Sequence, residues 1–198
     1  MDPLTLPEQL ILLYFDGAVP QQPHRFLEQG VVGAQLAELD TLGRLAGVGR
    51  KRLGVVDAGP TGDDLLDALL RDIIQGNGKT LHWRDTQQYP AYLHRLVGRG
   101  LLEEVEQRTL RVFRSRLYQT CDSASVAAIR SGIDAVVVGG ATPERPGSLG
   151  TLMWAIAHDY SLYPGRQGRP YRKRLKLLAR DDWIAQAVRK AVLATSDR

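Results

Sequence analysis

The sequence predicts a mainly α fold, organised as a single domain over residues 1–198. We expect a central bundle of apolar helices, ringed by amphipathic helices and accompanied by one β-hairpin. Apolar residues recur at three- and four-residue spacing through most of the chain. Residues 10–15 and 149–157 are apolar on every side, as helices buried in a core are. Strand-like alternation is clear only in residues 100–118.

The composition is that of an ordinary globular protein. Hydrophobic residues make up 43% of the chain and charged residues 24%, a balance that excludes a disordered protein. No stretch reaches the roughly 20 apolar residues that a membrane span requires, and the N-terminus lacks the pattern of a secretion signal. The single cysteine, Cys121, excludes an intramolecular disulfide and fits a reducing compartment. We therefore expect a cytoplasmic protein, which can associate peripherally with a membrane.

The first helix is predicted in "LTLPEQLILLYF", where Thr5 precedes Glu8 by the three residues of a capping box. Because no face of this helix is polar, it should lie centrally. Residues 16–30 have the composition of a loop. A second helix is expected in residues 31–47, with Gly47 as its end, followed by a short strand in "RKRLGVVDAG".

Three aspartates in "PTGDDLLDALL" could form a metal or phosphoryl-transfer site: Asp63, Asp64 and Asp67. The same residues are typical of a helix start, because carboxylates accept hydrogen bonds from the unpaired N–H groups of a first turn and favour the positive helix end. A metal site would also need further ligands, and the sequence offers no partner cluster. We therefore interpret the aspartates as a helix start, with Asp67 pointing outward.

Further elements are predicted by the same signals. Pro90 should break or restart a helical segment, and the hairpin of residues 100–118 should turn near residues 107–108. Residues 141–147 should form a loop. The remaining helical segments are 79–99, 122–140, 148–160, 171–180 and 181–194.

Basic residues are concentrated in the C-terminal half. Residues 166–180 hold seven basic side chains and no acidic one, which suits an anionic partner. Their helix should carry basic residues on one face (Arg172, Lys173, Lys176 and Arg180) and apolar ones on the other (Tyr171, Leu175 and Leu178). This pattern fits a membrane-surface helix, and equally a solvated basic face over a packed core.

No local motif in the sequence indicates an enzyme. The four histidines are scattered without metal-binding spacing, and the glycines of residues 47–54 do not form a phosphate-binding motif. We expect no catalytic residues, no metal site and no cofactor.

Several stretches, in this order and over nearly the whole chain, resemble the Golgi phosphoprotein 3-like family, in its bacterial type. They are "LTLPEQLILL" (4–13), "GAQLAELDTLGRL" (33–45), "PTGDDLLDALL" (60–70), "LHRLVGRGLLEE" (93–104) and "DDWIAQAVRKAVLA" (181–194). The resemblance implies a helical, non-enzymatic protein. Eukaryotic members bind phosphatidylinositol 4-phosphate at the membrane surface and hold Golgi enzymes in place.

The family's lipid pocket combines one tryptophan with three arginines, and this chain departs from it. Pro23 stands at the tryptophan position, Val32 at the first arginine, and the other two arginines fall near Thr86 and Tyr89. The substitute candidates for headgroup binding are His24, Arg25, Trp83 and Arg84. The candidates for membrane contact are the hairpin arginines Arg108, Arg111 and Arg114, which could instead keep the strand edges from pairing with other chains.

The expected function is therefore that of a peripheral membrane or adaptor-type protein. Anionic lipid is the expected ligand, with phosphatidylinositol 4-phosphate as the specific candidate and protein tails as further partners. A winged-helix-like nucleic-acid binder is one alternative, because a helix precedes an arginine-rich hairpin. A pure protein-interaction module is another, and the oligomeric state stays open.

Overall fold

Helices make up most of the computed structural model, which confirms the predicted mainly α fold. It describes residues 3–17, 19, 21, 23, 26–48, 52–76, 88–109, 113–140 and 144–196. The helices are α1 (Leu6–Tyr14), α2 (Leu27–Thr41), α3 (Asp64–Gln75), α4 (Tyr89–Gly98), α5 (Ser123–Val137), α6 (Glu144–Ala155), α7 (Asp159–Leu162), α8 (Arg169–Leu178) and α9 (Trp183–Ser196). The strands are β1 (Leu45–Val48), β2 (Arg52–Val55), β3 (Leu102–Thr109) and β4 (Phe113–Thr120).

Helix α1 lies at the centre of the core, as its apolar sequence predicts. Its side chains are buried on all faces, and it packs against α2, α4, α5 and α6. The capping box is present, because the backbone N–H of Thr5 donates to the Glu8 carboxylate at 2.8 Å. Burial of a helix on every side removes far more apolar surface from water than a surface helix could.

Helix α2 crosses α6 and α9 at a glycine. A Cβ atom on Gly33 would lie 2.5 Å from Cγ2 of Val188 and 2.7 Å from Cδ2 of Leu152. These distances are shorter than carbon contacts allow, so the missing side chain permits the three helices to approach this closely.

Helix α3 begins as the sequence predicts. Asp63 is its N-cap, and one carboxylate oxygen accepts the N–H groups of Leu65 at 2.9 Å and Leu66 at 3.1 Å. Asp67 is half-buried at the surface. It accepts hydrogen bonds from the backbone N–H and the hydroxyl of Thr61, at 2.8 and 2.7 Å, and so ties the helix to the loop before it.

The end of α2 and the strand that follows differ from prediction. The helix ends at Thr41, and Gly43 takes the left-handed conformation at φ 67° while the N–H of Arg44 bonds to Leu39. Gly47 instead lies in β1 and pairs with Leu53 of β2, the strand predicted in this region, so β1 and β2 form a second antiparallel pair. A four-residue strand directly after a helix does not stand out by periodicity, which is why only one strand was expected here.

The predicted hairpin is present with a different register. Val105 pairs with Leu117 and Thr109 with Phe113, so residues 107–108 lie in β3 rather than in the turn. Alternation fixes which side chains share a face but allows shifts of two residues, so the sequence alone left the register open.

The segment predicted as a loop at 141–147 contains the start of α6. The helix begins at Glu144 and carries Pro146 in its first turn, where proline is tolerated because its missing N–H would have no helical partner. Residues 141–143 lie outside the described residues.

Candidate functional site

Most predicted site residues fall outside the described residues. This applies to His24, Arg25, Trp83, Arg84 and Arg111. Arg108 and Arg114 are register partners near the end of the β3–β4 hairpin, and their side chains are also outside the description. The roles assigned to all seven stay predictions.

The described fold shows what replaces two of the family's arginine positions. Val32 lies within α2 and is 1% exposed, so its side chain is part of the core. Tyr89 is the first residue of α4 and lies partly buried against the core cluster. Thr86 lies outside the described residues. Neither Val32 nor Tyr89 can supply the positive charge of an arginine.

Tyrosines meet where three elements begin or end. The Tyr89 hydroxyl is buried and has no hydrogen-bond partner among the described residues. Burial raises the pKa of Tyr89, and the nearby Tyr118, Tyr14 and Glu28 raise it further. These residues belong to the start of α4, the end of β4, the end of α1 and the start of α2.

Both segments that carry the substitute candidates join the described fold at this cluster. The segment with His24 and Arg25 runs between the end of α1 and the start of α2, and the segment with Trp83 and Arg84 leads into α4. The backbone of Gln21, within the first segment, also pairs with Tyr118 in an isolated bridge.

The arginines at α4, Arg95 and Arg99, form ion pairs with carboxylates. Arg95 donates to Asp63 at 2.5 Å and also pairs with Asp64. Arg99 donates to Glu8 at 2.8 Å, and Glu8 is 1% exposed. Of the three aspartates that the sequence raised as a possible metal site, Asp63 and Asp64 thus pair with an arginine, and Asp63 also caps α3.

A second buried carboxylate holds the other side of the α1 N-terminus. Glu38, 5% exposed on α2, accepts the backbone N–H of Leu6 at 2.7 Å and pairs with Arg145. Arg145 also donates to the carbonyl of Leu4 at 3.1 Å. Sequence reasoning missed both buried pairs, because the partners lie 91 and 107 residues apart along the chain.

A groove of about 310 Å³ lies beside the same helix end, between α1, α5 and the turn before β3. Its lining is mostly apolar, and Arg99 and Asp122 contribute charge. Arg99 is bonded to Glu8, and Asp122 accepts the N–H of Ser125 at 3.0 Å as the N-cap of α5. The charged groups of the groove thus serve the fold.

Comparison with known protein families identifies the family of this chain. A family model described as Golgi phosphoprotein 3 (GPP34) matches residues 6–195. The chain belongs to the Golgi phosphoprotein 3 family. A comparison with curated proteins gives no significant match.

Membership of the Golgi phosphoprotein 3 family confirms the resemblance that the sequence motifs indicate. The match begins at the first residue of α1 and ends within α9, so it includes every described helix and both hairpins. In the described part of the chain, no helix is both long and apolar enough to cross a membrane. The described residues also include no cluster of three metal-ligating side chains.

Proposed function

We propose that this member of the Golgi phosphoprotein 3 family is a non-enzymatic protein of the membrane surface that binds anionic lipid headgroups. The observation that carries the proposal is the family match over residues 6–195. The resemblance implies lipid recognition from the cytoplasmic side, with adaptor contacts to protein tails. The buried Val32 supports headgroup binding by a set of residues different from the family's three arginines.

The proposed headgroup set is His24, Arg25, Trp83 and Arg84. The chain positions of these residues, just before α2 and shortly before α4, support the proposal, because both helices begin near Tyr89. Two arginines would supply charge for a phosphate. The tryptophan would supply an amphipathic ring of the kind enriched at membrane interfaces. Arg108, Arg111 and Arg114 would add contacts from the hairpin, each worth about 1 kcal/mol near an anionic surface.

A nucleic-acid-binding function is less well supported. In a winged helix, the helix before the hairpin presents polar side chains to DNA. Here α4 buries Tyr92, Leu93 and Leu96, and its arginines Arg95 and Arg99 are paired with carboxylates. These contacts leave α4 few groups with which to read bases.

The test is co-sedimentation of the protein with vesicles of three kinds: neutral, containing phosphatidylserine, and containing phosphatidylinositol 4-phosphate. We expect pelleting with anionic vesicles and weaker pelleting after Arg25→Ala and Arg84→Ala. Arg71→Ala is the matched control, because Arg71 is an exposed arginine on α3. Preference for the phosphoinositide at moderate salt would identify a specific pocket, and equal binding to both anionic vesicles would identify charge alone. Pelleting with neither would contradict the proposal and favour a pure protein-interaction module.

A further inference from the structure

The outward face of α8 is a group of exposed basic side chains that form no ion pair with any described residue, whereas six arginines elsewhere in the described fold do. The arginines 44, 95, 99, 116, 130 and 145 each pair with a carboxylate. Within residues 166–180, by contrast, the exposed basic side chains make no ion pair with any described residue. They are Arg166, Arg169, Lys173, Arg174, Lys176 and Arg180.

Helix α8 packs against the core through the side opposite this face. Leu175 is 1% exposed and Ala179 is fully buried, so the apolar side of α8 is packed against α5 and α6. This confirms a basic face over a packed core, and the apolar side is not available to enter a membrane. Any contact that α8 makes with a partner uses its basic side.

Arg172 is not part of that face, although the sequence grouped it there. Its guanidinium donates to the carbonyls of Tyr163 and Gly165 and lies 4.9 Å from the ring centre of Tyr160. Arg172 therefore fixes the loop that leads into α8, and with it the position of Arg166.

An apolar side chain stands in the middle of the cations. Leu177 is 39% exposed and follows Lys173 by four residues and Arg174 by three, while Arg180 follows it by three. On a helix these spacings place Lys173, Arg174 and Leu177 on one face, and Arg180 lies in the turn just beyond the end of α8. Leucine ringed by unpaired cations matches the surface of an anionic membrane, where cations meet phosphates and an apolar group reaches the acyl boundary.

An exposed aromatic residue follows shortly after this face. Trp183, the first residue of α9, is 43% exposed. Tyrosine and tryptophan are enriched at the level of lipid headgroups because their rings are amphipathic.

We propose that the outward face of α8, formed by Arg169, Lys173, Arg174, Lys176 and Leu177 together with Arg180 just beyond the helix end, is a second membrane-contact surface that binds anionic lipid directly. This inference rests on the proposed function, and it adds a site that is separate from the headgroup candidates and the hairpin. The contact is electrostatic with one apolar anchor, so salt weakens it.

The experiment measures binding to phosphatidylcholine vesicles with and without phosphatidylserine, at low and moderate salt. Lys173→Glu/Arg174→Glu should weaken binding to the anionic vesicles at least tenfold, since two contacts become repulsive. Arg71→Glu/Lys190→Glu is the matched control, because it changes the net charge equally at exposed positions of α3 and α9. Thermal unfolding followed by circular dichroism should show that both variants keep the fold.

A second pair of variants tests the apolar anchor. Leu177→Gln should weaken vesicle binding severalfold without changing charge. Leu193→Gln, at a leucine on α9 that is 50% exposed, should leave it unchanged. Binding to double-stranded DNA is measured in parallel.

The outcomes separate the two proposals. Equal effects of the α8 and control charge reversals, with wild-type binding intact, would overturn the α8 surface and leave the proposed function standing. Failure of the wild type to bind any vesicle would overturn both. If Leu177→Gln binds vesicles like the wild type while the α8 charge reversal abolishes DNA binding, the face is a nucleic-acid contact and the proposal is wrong.

Discussion

At the scale of single residues, Glu8 connects the local sequence to the tertiary structure. It closes the capping box of α1 and, 1% exposed, accepts a hydrogen bond from Arg99. A buried carboxylate is tolerated only when its oxygens are paired. The same residue that predicts the helix start in the sequence therefore also fixes α4 against α1.

Glu8→Gln keeps a hydrogen-bond acceptor for the cap but removes the charge. We expect it to lower the free energy of unfolding by about 2 kcal/mol, because Arg99 loses its charged partner. Urea denaturation measures the loss. Glu104→Gln is the control, since its partner Arg116 is mostly exposed and such pairs contribute about 0–1 kcal/mol. Equal losses in the two variants would contradict the account.

Asp67 predicts part of the pH dependence of stability. Hydrogen bonds from the side chain and backbone of Thr61 lower the pKa of this carboxyl. A pKa that is lower in the folded state adds stability above the unfolded-state value of about 4. That stability is lost as the pH falls through the folded value. Asp67→Asn should therefore reduce the loss of stability between neutral and acidic pH, measured by urea denaturation at several pH values. If the variant lost as much stability at acidic pH as the wild type, Thr61 would not be bonded to the carboxylate.

At the scale of elements, close helix packing depends on Gly33. An added methyl group would meet Val188 and Leu152 at 2.5 and 2.7 Å. We expect Gly33→Ala to destabilise the fold by about 2 kcal/mol, as overpacked cores do. This occurs even though alanine favours a helix. Gly98→Ala is the matched control in α4, where nothing lies within 4 Å of the added atom. It should be neutral or stabilising by up to about 1 kcal/mol. A stabilising Gly33→Ala would show that α2 does not approach α6 and α9 this closely.

A residue just beyond the C-terminus of α6 has a strained backbone conformation that glycine would relieve. Ala157 adopts φ 60°, while the N–H of His158 bonds to the carbonyl of Met153 at 2.8 Å in a helix-ending turn. Because alanine disfavours this conformation, Ala157→Gly should stabilise the fold by about 1 kcal/mol. The exposed Ala127 within α5 gives the opposite expectation, with Ala127→Gly costing about 1 kcal/mol. Thermal unfolding measures both, and a destabilising Ala157→Gly would contradict the assigned backbone conformation.

At the scale of the whole molecule, the sequence predicted what short-range signals encode. The apolar run of α1 and the capping of α3 by Asp63 depend on neighbouring residues, and both are confirmed. The pairing of Glu38 with Arg145 spans 107 residues and has no local signal. The prediction of the hairpin register was wrong for a related reason, since alternation cannot distinguish shifts of two residues.

The candidate site was predictable only through the family resemblance. The family match over residues 6–195 confirms that resemblance. Val32, which stands where the family's pocket has an arginine, is buried in the core. The unpaired basic residues of α8 could be identified only from the fold, because the sequence grouped Arg172, which bonds to loop carbonyls, with the exposed cations. Telling a half-buried, bonded arginine from an exposed one requires the position of the loop before α8.

The most direct test of the central claim is binding of the wild-type protein to neutral and phosphatidylserine-containing vesicles, each at low and moderate salt. The account predicts binding to the anionic vesicles only, weakened by salt, because cationic surfaces of this kind are screened over about 10 Å at 0.1 M. Equal binding to neutral vesicles, or binding to none, would contradict it.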